Sequence, residues 1–510
     1  MAMPLNRRTF LQSAAAIAAI PEHNWEKHDW GAGPTVEDRC YQGPFPQYGP
    51  GALIPDSEVV MVTTPAKAAV SNYGMGLTIY VSGDTGPPRL PGESLEKSLE
   101  DLVKLPFAQK IYIRPNWRDV QRRPGKLDFP DWWQITFDLA RRYNKQVGFR
   151  IMLENPDSPE PGMPAFLMDR VPYVKLKGEW KGNASEVRHT KDQRMPRYDH
   201  PAYQAAFREL NELLAVELNG NPLVEYMDTM MYGFWGEAHT WPYEGNPFPN
   251  QVVAEQTWLK MLETQLACWT KVPLATNTQP DFSGVGNAEL LDRTIGSHNW
   301  LRTDTIFIEN TQIEALSNRP PWTAAICEVG MTTGDSAKIG LDEGVTYNEK
   351  IISHVIDVGA NYFSLWNWHN ESAAHILSYY EKYPEPIDHI ARSIGYRVRP
   401  SFVWSFTRDG VPGLVFGMAN GGIAAMPGVL RLTVFSEDGT VRASGCLDAG
   451  YPKPSGIRQA LLMLPPGTAW EGLRLKGELE VKGVRHPVRW ACEQKTNADG
   501  SLTLRRNLRS

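Results

Sequence analysis

Between residues 76 and 367 the sequence repeats one pattern eight times: a short apolar or aromatic run, followed in all but the last case by a segment with apolar residues at helical spacing. The runs begin at Gly76, Lys110, Val147, Val224, Pro273, Thr305, Thr323 and Asn361, the fourth and sixth spanning 224–232 and 305–309. Helices are expected at 95–105, 131–145, 201–218, 251–270, 287–295, 312–318 and 347–358. Short apolar runs suit buried strands, and the longer periodic segments suit amphipathic helices. Strict alternation of the two implies parallel strands joined by helical crossovers. Eight such units over roughly 320 residues match a closed (β/α)8 barrel, which is placed at 74–398. A doubly wound open sheet usually shows a glycine-rich phosphate turn after its first strand, and neither G-x-G-x-x-G nor a P-loop is present.

The character changes after Arg399-Pro400. Short strand patterns at 402–406, 413–418, 428–435, 441–445, 460–464, 473–481 and 488–491 are separated by Gly, Pro, Asn and Asp turns, so 399–510 reads as an all-β sandwich. The fold class expected is therefore α/β, a TIM barrel followed by a β-sandwich. Within the barrel, 157–200 is a long irregular insert, of the kind that shapes or covers a site. At the N-terminus, Asn6-Arg7-Arg8-Thr9-Phe10-Leu11-Gln12 precedes a short apolar stretch, 14–20, with Ala16-Ile17-Ala18 as a cleavage candidate. This resembles a twin-arginine export signal over 1–20, which implies a periplasmic or secreted destination. The stretch is too short to anchor in a bilayer. Residues 21–73, rich in Pro, Gly and His, read as a lead-in segment.

Net charge is −6 with no basic block, which argues against nucleic acid as a partner. The five cysteines show no C-x-x-C spacing, which argues against a zinc site or a disulfide framework. No cofactor, metal or membrane span is expected, and nothing indicates the oligomeric state. The 17 Trp and 19 Tyr point elsewhere, because aromatic planes stack on the apolar faces of sugar rings as well as filling cores.

In a barrel, catalytic groups sit where strands end at the C-terminal face. The expected ends carry Arg114, Asn116 and Trp117; Glu154 and Asn155; Trp235, Glu237 and His239; Asn277; Glu309; Glu328; and Trp366, Asn367, Trp368 and His369. The predominantly apolar run before Trp235-Gly236-Glu237 makes that Glu stand out at the fourth strand, and Glu328 stands at the seventh. Strands four and seven face each other across the pocket. Retaining glycoside hydrolysis needs two carboxyls about 5–5.5 Å apart, one to protonate the leaving oxygen and one to attack the anomeric carbon. Glu237 is assigned as acid/base and Glu328 as nucleophile. Glu154 and Glu309 serve as substrate-binding or pKa-tuning neighbours, or as substitutes in the pair. Arg114 would hold the nucleophile ionised, Arg114, Arg150 or Arg188 would hold an acidic or sulfated sugar, and Trp366 and Trp368 would floor a sugar subsite. Each also has a plain structural alternative: a carboxylate or guanidinium in a buried ion pair, or an indole in the core. His239 touches substrate or caps a loop. Lacking a second His at ligand spacing, it makes a poor metal ligand.

The stretch Tyr112-Ile113-Arg114-Pro115-Asn116-Trp117-Arg118-Asp119-Val120-Gln121, followed by Pro124-Gly125-Lys126-Leu127-Asp128-Phe129, resembles the segment after the second strand in glycoside hydrolase clan A. The nearest branch is the β-galactosidase-like one around family 42. The Glu at strand four, the Glu at strand seven and the Trp at strand eight match as well, over about 74–393. The resemblance implies a retaining (β/α)8 glycosidase acting on a carbohydrate. One position departs from it: where the clan usually has Asn directly before the acid/base, this chain has Gly236. Either Asn155, Asn277 or His239 replaces that Asn, or the substrate is unusual at that carbon, or the chain binds carbohydrate without cleaving it. A metal-dependent hydrolase is a weaker third option, with only His239 and His369 at strand ends.

Overall fold

The structure is a computed structural model, and it describes residues 57–82, 86–87, 90–158, 160–180, 190–278, 286–305, 310–328, 347–365 and 372–506. The export segment, most of the lead-in, Arg188, Glu309 and Trp366, Asn367, Trp368 and His369 lie outside them.

Eight parallel strands close into a barrel: Gly76–Tyr80, Lys110–Ile113, Val147–Phe149, Val224–Asp228, Leu274–Asn277, Trp300–Thr305, Ala325–Glu328 and Tyr362–Leu365. Each pairs with the next in sequence, and the eighth returns to the first with Tyr362 opposite Gly76. The strands are short and buried on both faces, the pattern a parallel sheet under helices imposes. The crossover helices bury one stripe each. Asp131–Arg142 turns Trp133, Phe137, Leu139 and Ala140 inward and leaves basic residues in its last turn, where they oppose the helix dipole. Side-chain caps fix several starts, with Ser94 accepting from Lys97 N, Asn250 from Val253 N and Ser372 from His375 N.

Several boundaries differ from expectation; the third strand, expected to end at Glu154, is Val147–Phe149, so Glu154 lies in the chain beyond it. The sixth strand, Trp300–Thr305, begins ahead of the expected start at Thr305, and 306–309 of the expected strand lie outside the described residues. Arg302 inside it is wholly buried, and its charge is met by acids of the fourth and seventh strands. The fourth strand ends at Asp228, so Glu237 belongs to the following loop and not to the strand end. Glu225 and Asp228, both inside that strand, are buried carboxylates.

Past the barrel, two antiparallel sheets form the sandwich. One orders Glu58–Val62, Val398–Arg408, Val411–Asn420 and Ile457–Met463; the other holds Val429–Phe435, Val441–Cys446, Arg474–Val481, Val484–Pro487 and Leu502–Thr503. Strict alternation of buried and half-buried residues along Val429–Phe435 and Arg474–Val481 marks their core faces. The edge strand Glu58–Val62 comes from the N-terminal side of the chain and pairs with Val398–Arg408. Sandwich residues such as Leu430 and Leu479 share one apolar cluster with Tyr226, Trp300 and Tyr362 of the barrel. Among the described residues, no helix is long and apolar enough to cross a membrane.

Candidate active site

At the C-terminal end of the barrel, six charged side chains meet in a buried cluster. Arg114 and Arg150 follow the second and third strands, and Arg302 lies in the sixth. Asp228 ends the fourth strand, Glu237 sits in the loop beyond it, and Glu328 ends the seventh. Arg114 Nη1 lies 3.5 Å from Glu328 Oε1 and 3.9 Å from Glu237 Oε1, so one guanidinium joins two carboxylates from opposite walls. Arg150 reaches Glu237 Oε1 at 2.8 Å and Asp228 Oδ2 at 3.3 Å. Arg302 approaches Asp228 Oδ2 at 3.1 Å and is also paired to Glu328. Three cations against three anions is what makes their joint burial tolerable, since a lone ion there would carry several kcal/mol of desolvation. Glu237 is 4% exposed and Glu328 1%.

Aromatic hydroxyls complete the inner layer. Arg302 donates to Tyr80 Oη at 2.9 Å, and the Tyr112 hydroxyl donates to Asp228. Arg114 lies over the Tyr80 ring and Arg302 over the Tyr112 ring, each 5.2 Å from the centroid. Burial pushes both phenols up, so they stay protonated donors.

The loop carrying Glu237 is tightly held. Gln265, from the helix Gln251–Cys268, accepts from Met230 N at 2.7 Å and donates to Met230 O at 3.1 Å, and Tyr198 Oη accepts from Gly233 N at 2.9 Å. Phe234 N donates to His239 O at 2.9 Å and Ala238 N to Tyr232 O at 3.0 Å, which turns the loop back on itself. Trp235, Gly236 and Ala238 all take left-handed backbone, with φ of 53°, 77° and 67°. Such strain around one residue persists only when its surroundings over-determine it. It also accounts for Gly236. A Cβ there would meet Arg150 Cδ at 3.1 Å on a positive-φ backbone, so the Asn of the resembled family would press on the arginine that holds Glu237.

His239 Nε2 lies 3.4 Å from Glu237 Oε2. Burial pushes the Glu237 carboxyl up, but the His239 hydrogen bond and the charges of Arg150 and Arg114 outweigh it and bring it down to about 2. Asn277 Nδ2 donates to Glu237 O at 3.5 Å.

The remaining expected residues divide. Trp235 borders the cluster; Arg150 donates to its carbonyl at 2.7 Å, and its indole N–H donates to Asp157 Oδ2 at 3.1 Å. Asn155 is buried at the start of the insert and accepts from Asp157 N at 2.9 Å. Asn116 begins a short helix and bonds Asp119 at 3.1 Å. Trp117 lies wholly in the core, edge-on to Tyr203, with its indole N–H on Gln121 at 2.8 Å. Glu154 turns toward the outer layer. Its carboxyl accepts from Gly162 N at 2.9 Å, the charge near it is that of Arg118, the neighbouring Tyr198 and Tyr203 are kept as neutral phenols by burial, and burial pushes Glu154 up to about 8. Asp228 and Arg302 were missed in sequence, and Arg150 was read as a sugar contact, whereas its guanidinium is committed to Asp228 and Glu237. Among the described residues, no group of three or more His, Cys, Asp or Glu is placed to hold a metal ion.

No family model and no curated protein sequence matches the chain. Solved structures similar to it include the catalytic domain of a β-amylase from Paenibacillus polymyxa, at 10% identity over 60% of this chain and 97% of that one, TM-score 0.40. Endo-glycoceramidase II from Rhodococcus sp. aligns at 13% identity over 77% and 97%, TM-score 0.37. Gan42B, a GH42 β-galactosidase, aligns at 12% identity over 65% and 58%, TM-score 0.39. At these identities no activity transfers to this chain.

Proposed function

We propose that the mouth of this barrel hydrolyses a glycosidic bond with retention of configuration. The observation that carries this reading is the meeting of Glu237 and Glu328 at one nitrogen of Arg114, their Oε1 atoms 3.9 and 3.5 Å from it. Two carboxyls within reach of one nitrogen are close enough to allow the roughly 5–5.5 Å separation of double displacement. Glu328, between Arg114 and Arg302, is the nucleophile: its oxygen bonds to the anomeric carbon as the glycosidic C–O bond breaks. Glu237 and His239 act together as the acid/base. Glu237 rests ionised, so the proton given to the leaving oxygen is the one held between its carboxylate and the imidazole. In the second step a water attacks the anomeric carbon, its proton returns to that pair, and the ester to Glu328 breaks. The test is a panel of aryl glycosides and oligosaccharides with Glu237→Gln and Glu328→Gln, alongside circular dichroism to confirm folding. Loss of about 10³-fold or more in kcat is expected for each. Wild-type rates in both folded variants would overturn the assignment.

A second reading, a carbohydrate-binding protein without turnover, is favoured by one observation: both carboxylates are already ion-paired to arginine. Binding across the panel with no product from wild type would select it. The export segment suggests action outside the cytoplasmic membrane; fractionation of cells with Arg7 and Arg8 replaced by Lys would leave the protein inside if so.

A further inference from the structure

Beside the charged cluster stands an aromatic ledge. Trp241, in the loop that carries Glu237, is 60% exposed, the most open aromatic side chain among the described residues. Two buried indoles hold it. The Trp180 ring lies 5.2 Å away at 71°, and the Trp235 ring 6.2 Å away at 37°. Trp180 and Trp235 are in turn fixed by one acceptor, because both indole N–H groups end on Asp157, at 2.5 and 3.1 Å. Asp157 opens the 157–200 insert, and Trp180 sits in its small hairpin Glu179–Trp180 with Thr190–Lys191. That insert is also stitched to the loop after Trp241, since Lys177 and Glu244 exchange backbone hydrogen bonds of 2.9 and 2.7 Å. Four segments thus cooperate to present one rigid indole to solvent.

The ledge is continuous with the candidate centre. Trp235 lies 5.6 Å from the His239 ring, and His239 bonds Glu237. The line from Glu237 through His239 and Trp235 to Trp241 runs from wholly buried to open. Holding a large apolar face in water is unfavourable unless something covers it. A flat indole with fixed orientation matches the C–H face of a pyranose ring.

We infer that Trp241, propped by Trp180, Trp235 and Asp157, is a binding platform for a sugar ring on the leaving-group side of the cleaved bond. This rests on the glycosidase reading for the direction of the chain, since Glu237 protonates the leaving oxygen. It implies a substrate of several sugar units.

Affinity electrophoresis tests it, with the full chain run through gels containing soluble galactan, galactomannan, xyloglucan or mixed-linkage β-glucan. Wild type is expected to be retarded in at least one gel. Trp241→Ala should weaken that retardation about tenfold in apparent affinity, with Trp241→Phe recovering most of it. Trp322→Ala, at a 36% exposed indole elsewhere, should change nothing. In turnover the Trp241→Ala loss should fall on KM for oligosaccharides and grow with their length. Equal retardation of Trp241→Ala and wild type, or no retardation of wild type in any gel, would overturn the platform. Retardation sensitive to Trp241 in a protein that cleaves nothing would retain the platform and remove the catalytic reading instead.

Discussion

Glu225 and Asp228 belong to the same strand, Val224–Asp228, yet serve opposite ends of the barrel. At the base, Glu225 Oε2 pairs with Lys110 Nζ at 2.6 Å, and Oε1 accepts from Tyr362 Oη at 2.7 Å and Gly74 N at 2.8 Å. Tyr73 closes this end, its hydroxyl on Glu225 O at 2.8 Å and its ring stacked on sandwich residue His486, centroids 3.5 Å apart. Every partner is fixed by another element, and the sandwich seals the network. At the mouth, Asp228, Glu237 and Glu328 share three arginines, and Arg114 meets two of them at 3.5 and 3.9 Å, loose for charge-assisted bonds. Buried charge alone therefore does not mark an active site. What separates the ends is that at the base each group keeps its own partners, whereas at the mouth each carboxylate is shared between two arginines and the Arg114 contacts, at 3.5 and 3.9 Å, are loose enough to be exchanged for the oxygens of a ligand.

The comparison can be broken at its base. Glu225→Ala leaves Lys110 charged and buried without its carboxylate, and should cost about 3–5 kcal/mol in urea unfolding. Burial already pushes the Lys110 amine down against the pull of Glu225, so the lone amine would shed its proton more readily. A folded Glu225→Ala protein with unchanged stability would show that the base network is no more structural than the mouth.

Glu154 sharpens it as a third case, a buried carboxyl with no ion pair among the described residues. Its folded pKa is raised to about 8 from 4.5, so between those pH values the unfolded chain has lost a proton that the native state keeps. Stability should therefore fall as pH rises through that window and level off above about 8. Glu154→Gln should remove this slope, gaining on wild type by on the order of a few kcal/mol between the two ends. Parallel unfolding free energies for the two proteins across the window would refute it.

The smallest effect is expected at Gly236. Replacing it with Ala forces a left-handed backbone on a residue with a Cβ, 3.1 Å from Arg150 Cδ. A loss of about 1–2 kcal/mol is expected, together with reduced activity as Arg150 shifts against Glu237. An unchanged thermal midpoint and rate would mean the loop is more compliant than its bonds suggest.

The barrel was legible because period and punctuation are local: most of the buried strands and their helices announce themselves within a dozen or so residues. Glu237 and Glu328 were legible as acids in apolar surroundings. Asp228 and Arg302 were not, because each looks wrong for its place until the other is beside it, and that neighbourhood exists only once strands four, six and seven line one closed barrel. The sixth strand, which carries Arg302, was expected to start only at Thr305. Trp117 and Glu154 illustrate the converse. Both read as mouth residues at strand ends, but Trp117 packs edge-on to Tyr203 of the helix Pro201–Leu218, and Glu154 accepts from Gly162 of the insert. The ledge at Trp241 was invisible for a similar reason, since its props come from the insert.

The pairing of Glu58–Val62 with Val398–Arg408 sets a constraint in time as well as in space. Glu58 finds Ser405 only after the whole barrel has been synthesised between them. Until then the early segment has no ladder to join and the base of the barrel has no lid. Because contacts of such long sequence separation slow folding, the last step of assembly is expected to be the docking of this strand, and a chain interrupted before residue 398 would leave the barrel floor exposed to whatever apolar surface it meets first.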